Sequence, residues 1–327
     1  MLTNSTKRMK KILIFIPLFI GMSLNAQSFL EPNFRPLIFM PLNQMSDEVR
    51  STYLAEHFWR GFPFYDTAVL SNNLFRGSIR NYLQAIRFAD LQTIQNSLVN
   101  TIKKADTVEA MYRHFVESFD FYLNDALSGI REMQWIEPVW HQMLKSRWTT
   151  FSDSARINFF LRMAAKNPVG GKATDLEFIT IQGQRGRLSE IEADLLLVYF
   201  YIPGCPQCAM TLEWIQMDTA YQTLHRAGIL KGFAFFPEDD IQRFRSYGNI
   251  PTSWINARDP DGMSQLMTDE LYQMRGAPTI YLLDRNKRII LKDARLDLLF
   301  NEFDKALERH LSEMANRNLN VPNPATR

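Results

Sequence analysis

Tyr201-Ile202-Pro203-Gly204-Cys205-Pro206-Gln207-Cys208 holds the only two cysteines of this 327-residue chain. A CxxC that follows an apolar run and opens a helix is the layout of a dithiol cycling between thiol and disulfide. With no third cysteine to compete, any intramolecular disulfide joins this pair. Bridging two residues so close in sequence closes a tiny loop, so the bond adds little entropic stability and a structural role is disfavoured.

Working outward, the chain around the motif alternates between strand and helix patterns. Residues 176–181 and the Gly183 to Gly186 turn predict a hairpin arm, and 195–201 is a continuous apolar run suited to a buried central strand. A helix is expected over 206–226, ending at Gly228, then a strand over 229–236 and a helix over 238–247. Residues 280–283 and 288–292 predict a second hairpin, and 296–315 an amphipathic closing helix. This alternation is the signature of an α/β domain. From Asn316 onward the chain is polar and proline-bearing, which predicts a loose tail, 316–327.

Upstream the texture differs. Met111, Tyr112, Phe115, Phe119 and Tyr122 recur at helical spacing, and Leu83, Ile86, Leu91, Ile94 and Leu98 repeat the pattern over 79–102. Asp153 is placed to cap a further helix carrying Ile157, Phe160, Leu161 and Met163. Asn167-Pro168-Val169-Gly170-Gly171 reads as a linker. The expected division is an all-α N-terminal domain, 27–166, and an α/β domain, 167–315.

The N-terminus has the order of a secretory signal. Lys7, Arg8, Lys10 and Lys11 precede an apolar run over 12–22 and a small-residue exit at Ala26. The run is about half the length of a membrane span, so a signal peptide, 1–26, is favoured over an anchor. The mature protein is therefore expected to be exported, to the periplasm, with no stable membrane span. Secreted chains that need covalent staples carry several cysteine pairs; this one, 46% hydrophobic with 24 Phe and 6 Trp, can build its own cores. A formal charge of +2 gives no reason to expect nucleic acid as a partner.

Residues 170–313 resemble the thioredoxin superfamily, specifically its exported TlpA-like thiol-disulfide branch. The resemblance rests on Gly170 and Ala173, on Leu188-Ser189, on the apolar run before Cys205-Pro206-Gln207-Cys208, and on Gly276-Ala277-Pro278-Thr279 about 70 residues later, continued as Ile-Tyr-Leu-Leu-Asp over 280–284. It implies a thioredoxin-like fold, a central mixed sheet flanked by helices. Cys205, at the helix start, meets unpaired N–H groups and the helix dipole, which favour the attacking thiolate. Cys208, one turn in, is the resolving thiol. Pro206 suits the first turn, where its missing N–H is no loss. The resemblance further makes Pro278 a cis residue facing the dithiol, with Ala277 offering its backbone to a substrate chain and Gly204 and Pro206 beside it.

Three positions depart from the family pattern. Gly204 replaces the usual tryptophan, Tyr199 stands where thioredoxin buries an aspartate, and Thr211 where exported relatives often place a glutamate. Glu213 is nearby but on another helix face, expected in solvent. Other chemistries have less support. A peroxiredoxin needs threonine where Ile202 stands, and the five histidines show no zinc spacing with the cysteines, His225 reading as an exposed helix residue. Met210, Met263 and Met267 are soft donors for cuprous ion, but methionines at helical spacing are ordinarily core filler. No metal and no cofactor are expected.

The aromatic stretch over 58–66 is expected in a core, the alternative being a groove for a partner. The helical half resembles an uncharacterised domain found ahead of exported thioredoxin-like domains. The functional expectation is an enzyme exchanging disulfides with exported protein thiols, supplied by an unidentified redox partner protein. The rival is a non-catalytic scaffold that grips exported chains.

Overall fold

A computed structural model of the chain describes residues 45–319, apart from positions 72, 126, 127, 131, 239, 263, 264, 267 and 268. The expected signal peptide and residues 320–327 of the expected tail lie outside the described residues.

Helices α1 (Asp47–His57), α2 (Asn73–Ala85), α3 (Leu91–Ala105), α4 (Glu109–Asn124), α5 (Met133–Met143) and α6 (Phe151–Ala165) come first. Their starts follow from capping side chains. The Ser46 hydroxyl accepts from the Val49 amide at 3.3 Å and the Asp90 carboxylate from the Thr93 amide at 3.0 Å. Asp90 thereby breaks the pattern over 79–102 into two helices. At α6 the cap is Thr150, and Asp153 is its reciprocal partner three residues on, correcting the expectation that Asp153 is itself the cap. The sequence reading did not single out α5, which contains Pro138. Proline removes the hydrogen bond to the carbonyl four residues back; that carbonyl, on Gln134, accepts from Gln95 Nε2 at 2.9 Å instead.

The aromatic stretch is core. Phe58, Trp59, Phe62 and Phe64 are buried, with Trp59 edge-on to Phe115 at 5.1 Å between ring centres. Burial of each ring contributes roughly 2–3 kcal/mol. Only Tyr65 of that stretch's five large aromatic side chains turns outward, 79% exposed.

The second half is a seven-stranded mixed sheet flanked by helices, the thioredoxin-like fold. Its strands are β1 (Glu177–Thr180), β2 (Arg185–Arg187), β3 (Leu195–Phe200), β4 (Leu230–Phe236), β5 (Ile255–Arg258), β6 (Thr279–Asp284) and β7 (Ile289–Leu291), in the order β2-β1-β5-β4-β3-β6-β7. Central β3 runs parallel to β4 and antiparallel to β6, and all six of its residues are buried. Because side chains alternate along a strand, Leu195, Leu197 and Tyr199 enter one core while Leu196, Val198 and Phe200 enter the other. The first core is closed by α7 (Pro206–Met217), α8 (Thr219–Arg226) and α10 (Leu296–Leu319); short α9 (Ile241–Ser246) contributes Phe244. Gly232 on β4 is required by packing, since a Cβ there would lie 2.0 Å from the Trp254 indole.

Several bounds differ from expectation. The single helix over 206–226 is two, because Asp218 is extended and its carboxylate caps α8 through the Tyr221 amide at 2.7 Å. The closing helix runs four residues past 315, its polar composition being compatible with helix until Pro322 approaches. The linker is docked: buried Asn167 takes a positive φ of 52° and bonds Thr174 and the Leu271 carbonyl.

Basic side chains from the α/β half clamp the ends of the helices. Lys292 Nζ donates to the carbonyls of Met163, Ala164 and Lys166 at 3.2, 2.9 and 2.6 Å, at the C-terminal end of α6. Arg275 is ion-paired with Asp293, both side chains 5% exposed, and reaches the Leu123 and Asn124 carbonyls at 3.5 Å. Arg295 pairs with Glu132.

Candidate functional site: a dithiol facing the loop before β6

The site begins where β3 ends. Gly204 turns the chain with a φ of +80°, a conformation that suits a residue without a side chain. Cys205 then caps α7: its Sγ accepts from the Cys208 amide at 3.4 Å. Pro206 occupies the first turn. Both cysteines are free thiols, Cys205 half-buried and Cys208 1% exposed. One sulfur can therefore meet a partner while the other waits behind it.

Across from the dithiol lies the loop leading into β6. The Ala277–Pro278 peptide bond is cis, and the Cys205 thiol donates to the Ala277 carbonyl at 3.7 Å. Cys205, Cys208, Gly204, Pro206, Ala277 and Pro278 are thus brought into one locus, from segments 72 residues apart in sequence. The Thr279 hydroxyl, donating to the Gly276 carbonyl at 2.7 Å, ties the loop to the start of its strand.

Burial dominates the electrostatics. It pushes the Cys208 thiol up to about 12, against a backbone hydrogen bond from Ile202 that favours the thiolate. Among the described residues no carboxylate hydrogen-bonds either thiol. At the position of thioredoxin's buried acid, the Tyr199 hydroxyl donates to the Cys208 carbonyl at 2.6 Å and so pins the first turn of α7 to β3. Burial holds that hydroxyl far above the ordinary tyrosine range. Thr211 is buried, and Glu213 is exposed on the outer face.

Sequence reasoning missed Arg243. Its guanidinium donates to the Pro203 carbonyl, lies 3.4 Å from Glu238, and would stand 3.9 Å from a Cβ at Gly204. It therefore braces the turn that presents Cys205. An arginine that reaches a backbone carbonyl 40 residues away has no spacing signature to find. His225 is a strut rather than an exposed residue: its ring nitrogens meet the Leu230 carbonyl at 3.0 Å and the Ser253 hydroxyl at 2.9 Å, and it stacks on Tyr221.

Met263 and Met267 lie outside the described residues, and Met210 is 39% exposed on α7. Among the described residues no group of three His, Cys, Asp or Glu side chains is placed to hold a metal ion, and no helix is long and apolar enough to cross a membrane.

Residues 23–167 match a family model described as a domain of unknown function, DUF5106. The chain is similar to a thioredoxin-like protein from Bacteroides caccae of known structure, with a TM-score of 0.75 and 25% identity, covering 84% of this chain and 98% of that one. A conserved protein of unknown function from Bacteroides fragilis is 30% identical, covering 41% of this chain and 98% of that one, with a TM-score of 0.40. The thioredoxin domain of a thiol-disulfide oxidoreductase from Bacteroides vulgatus is 21% identical, covering 43% and 98%, with a TM-score of 0.37. No curated protein matches the chain in sequence.

Proposed function

We propose that this chain, a thioredoxin-like protein with a DUF5106 domain ahead of its α/β half, exchanges disulfides with other exported proteins through Cys205 and Cys208. The observation that carries the reading is the position of Cys205 Sγ, at the N-cap of α7 and 3.7 Å from the carbonyl of the residue before Pro278. An anion there meets the unpaired amides of the first turn and the positive end of the helix dipole.

In the reducing direction, the Cys205 thiolate attacks one sulfur of a substrate disulfide. The substrate S–S bond breaks, a mixed disulfide forms, and the first substrate thiolate leaves and takes up a proton. Cys208 then loses its proton to water and attacks Cys205 Sγ. The mixed disulfide breaks, the second substrate thiolate leaves, and the pair ends as the Cys205–Cys208 disulfide, two electrons having passed to the substrate. The oxidising direction is the reverse. The loop at Ala277 and Pro278 lines the substrate chain up against Cys205, and Gly204 leaves that approach open. A redox partner protein returns the dithiol to its starting state.

The basic, apolar and small-residue order of residues 1–26 supports export, and the compartment of this reading is the periplasm. The test is Cys208→Ser. An exchange enzyme then accumulates mixed disulfides through Cys205 that a reducing agent releases. A scaffold traps no partner covalently, and that outcome replaces the present reading.

A further inference from the structure

A cleft of about 450 Å³ opens beside the dithiol, between the two halves of the chain. Phe159, Phe160 and Asn124 line it from the helical half, and Ile202, Gln273 and Met274 from the α/β half. Ile202 stands three residues before Cys205, and Met274 three before Ala277. Ile202 also accepts a hydrogen bond from the Cys205 amide at 3.1 Å, so one wall of the cleft is built on the turn that carries the dithiol.

Two features say what the cleft takes. Part of its helical wall is apolar: Phe159 is 39% exposed and Phe160 lies beside it, stacked on buried Trp140, while Asn124 and Asp125 make the rest of that wall polar. Gln273 is only 4% exposed, yet both its amide nitrogen and its amide oxygen lack a hydrogen-bond partner. An unpaired buried amide is less stable than an apolar side chain of similar size, so folding alone does not account for it. A carboxamide presents an N–H donor beside a carbonyl acceptor on one edge, the complement of the C=O and N–H that one residue of an extended chain turns to the same side.

We propose that this cleft seats the residues flanking the reactive cysteine of an extended substrate polypeptide. An apolar side chain near that cysteine packs on Phe159, Phe160 and Met274, and the backbone N–H and C=O of one extended substrate residue pair with Gln273. The helical half is then one wall of the substrate site, and selects chains by an apolar residue near their cysteine. This inference rests on the exchange reading above and extends it.

The test uses the full chain carrying Cys208→Ser. It is reacted with short peptides whose single cysteine is activated as a mixed disulfide with thionitrobenzoate. Cys205 displaces thionitrobenzoate, which leaves as the coloured anion, and the peptide stays joined through a new disulfide. With a photoreactive phenylalanine analogue beside the cysteine, irradiation is expected to crosslink the peptide to residues 159–163 and 272–275. The ratio of rates for phenylalanine-flanked over glycine-flanked peptides is expected to fall about fivefold in Phe159→Ala, the scale of one aromatic contact. Gln273→Met is expected to raise the melting midpoint while weakening saturation by peptide, a trade-off that a purely structural glutamine would not show. Crosslinks confined to the outer face of α7, at Met210 or Trp214, overturn the proposal, as do equal rates for both peptides. If the chain releases no thionitrobenzoate even from the free reagent, the exchange reading fails and this one with it. Release without flank selectivity removes only the cleft.

Discussion

The helical half and the α/β half bury polar groups in different ways. Inside the helices one chain of buried hydroxyls is satisfied close by: Tyr82 meets Ser97 at 2.5 Å, Ser97 donates to the Ala55 carbonyl, and Thr101 donates to the Ser97 carbonyl at 2.8 Å. None of these is poised to lose or gain a proton near neutrality; burial raises Tyr82 to about 12. The α/β half buries such groups too, but adds ones that react or carry charge: the Cys208 thiol, the Arg275–Asp293 pair and half-buried Lys292, whose ammonium burial pushes down to about 8. The Arg275–Asp293 pair and Lys292 lie at the edge that meets the helices. The difference teaches that the charged and thiol groups available for chemistry lie in the second half, while the core of the first is held together by ring packing and neutral contacts.

The comparison can be broken most severely at the dithiol. Cys205→Ser is expected to reduce exchange by at least about a thousandfold, since residues acting as one unit lose nearly everything together. Its circular dichroism and unfolding curve stay those of the unmodified chain, because the bridge closes too small a loop to hold the fold. Retained turnover of a model disulfide would contradict the assignment.

The next largest effect falls on the joint. Arg275→Ala strands the Asp293 carboxylate in a buried site and removes the bonds to the end of α4, at a cost of about 3–5 kcal/mol in chemical denaturation. Arg275→Met combined with Asp293→Leu recovers much of that loss, because neither charge is then left alone. Equal losses in the single and double variants would show that the pair is not the source.

Resolution of the mixed disulfide sharpens the contrast through pH. Only the Cys208 thiolate attacks, and with its thiol pushed up to about 12 the group is protonated through the neutral range. Raising the pH from about 7 to about 10 therefore increases the resolving rate, roughly tenfold per unit. A flat or falling profile in stopped-flow measurement would point to another proton acceptor. Tyr199→Phe removes the bond to the Cys208 carbonyl and is expected to cost about 1 kcal/mol.

The smallest change belongs to the helices alone. Thr150→Ala removes the α6 cap at a cost of about 1 kcal/mol in thermal or chemical unfolding, leaving the exchange rate as it was. A change in rate from that variant would mean that the wall and the dithiol are more tightly coupled than their contacts indicate.

Much of the fold was legible because it is written in continuous apolar runs. Residues 195–201 and 280–283 lie within a residue or two of β3 and β6, and the aromatic density at 58–66 becomes core. Strand β5 was missed because Ile-Asn-Ala-Arg carries little strand signal, only Ala257 being fully buried. The break at Asp218 was missed because helical periodicity continues across it. At the site, the motifs were visible one by one, but no periodicity brings Ala277 to Cys205; family resemblance alone joined them. Arg243, Arg275 and Lys292 were invisible for a common reason. They bond backbone carbonyls of segments distant in sequence, and a carbonyl has no residue identity to read.

The most direct test of the central claim is the reduction potential of the Cys205–Cys208 pair, equilibrated in defined thiol buffers with the fold monitored alongside. The account predicts a pair that equilibrates readily, with a value between about −270 and −120 mV, the span of known exchange proteins. Its place in that span then tells whether the protein reduces or oxidises its partners. A pair that stays unreactive while the protein remains folded would contradict the account and leave a thioredoxin-like fold that binds without exchanging.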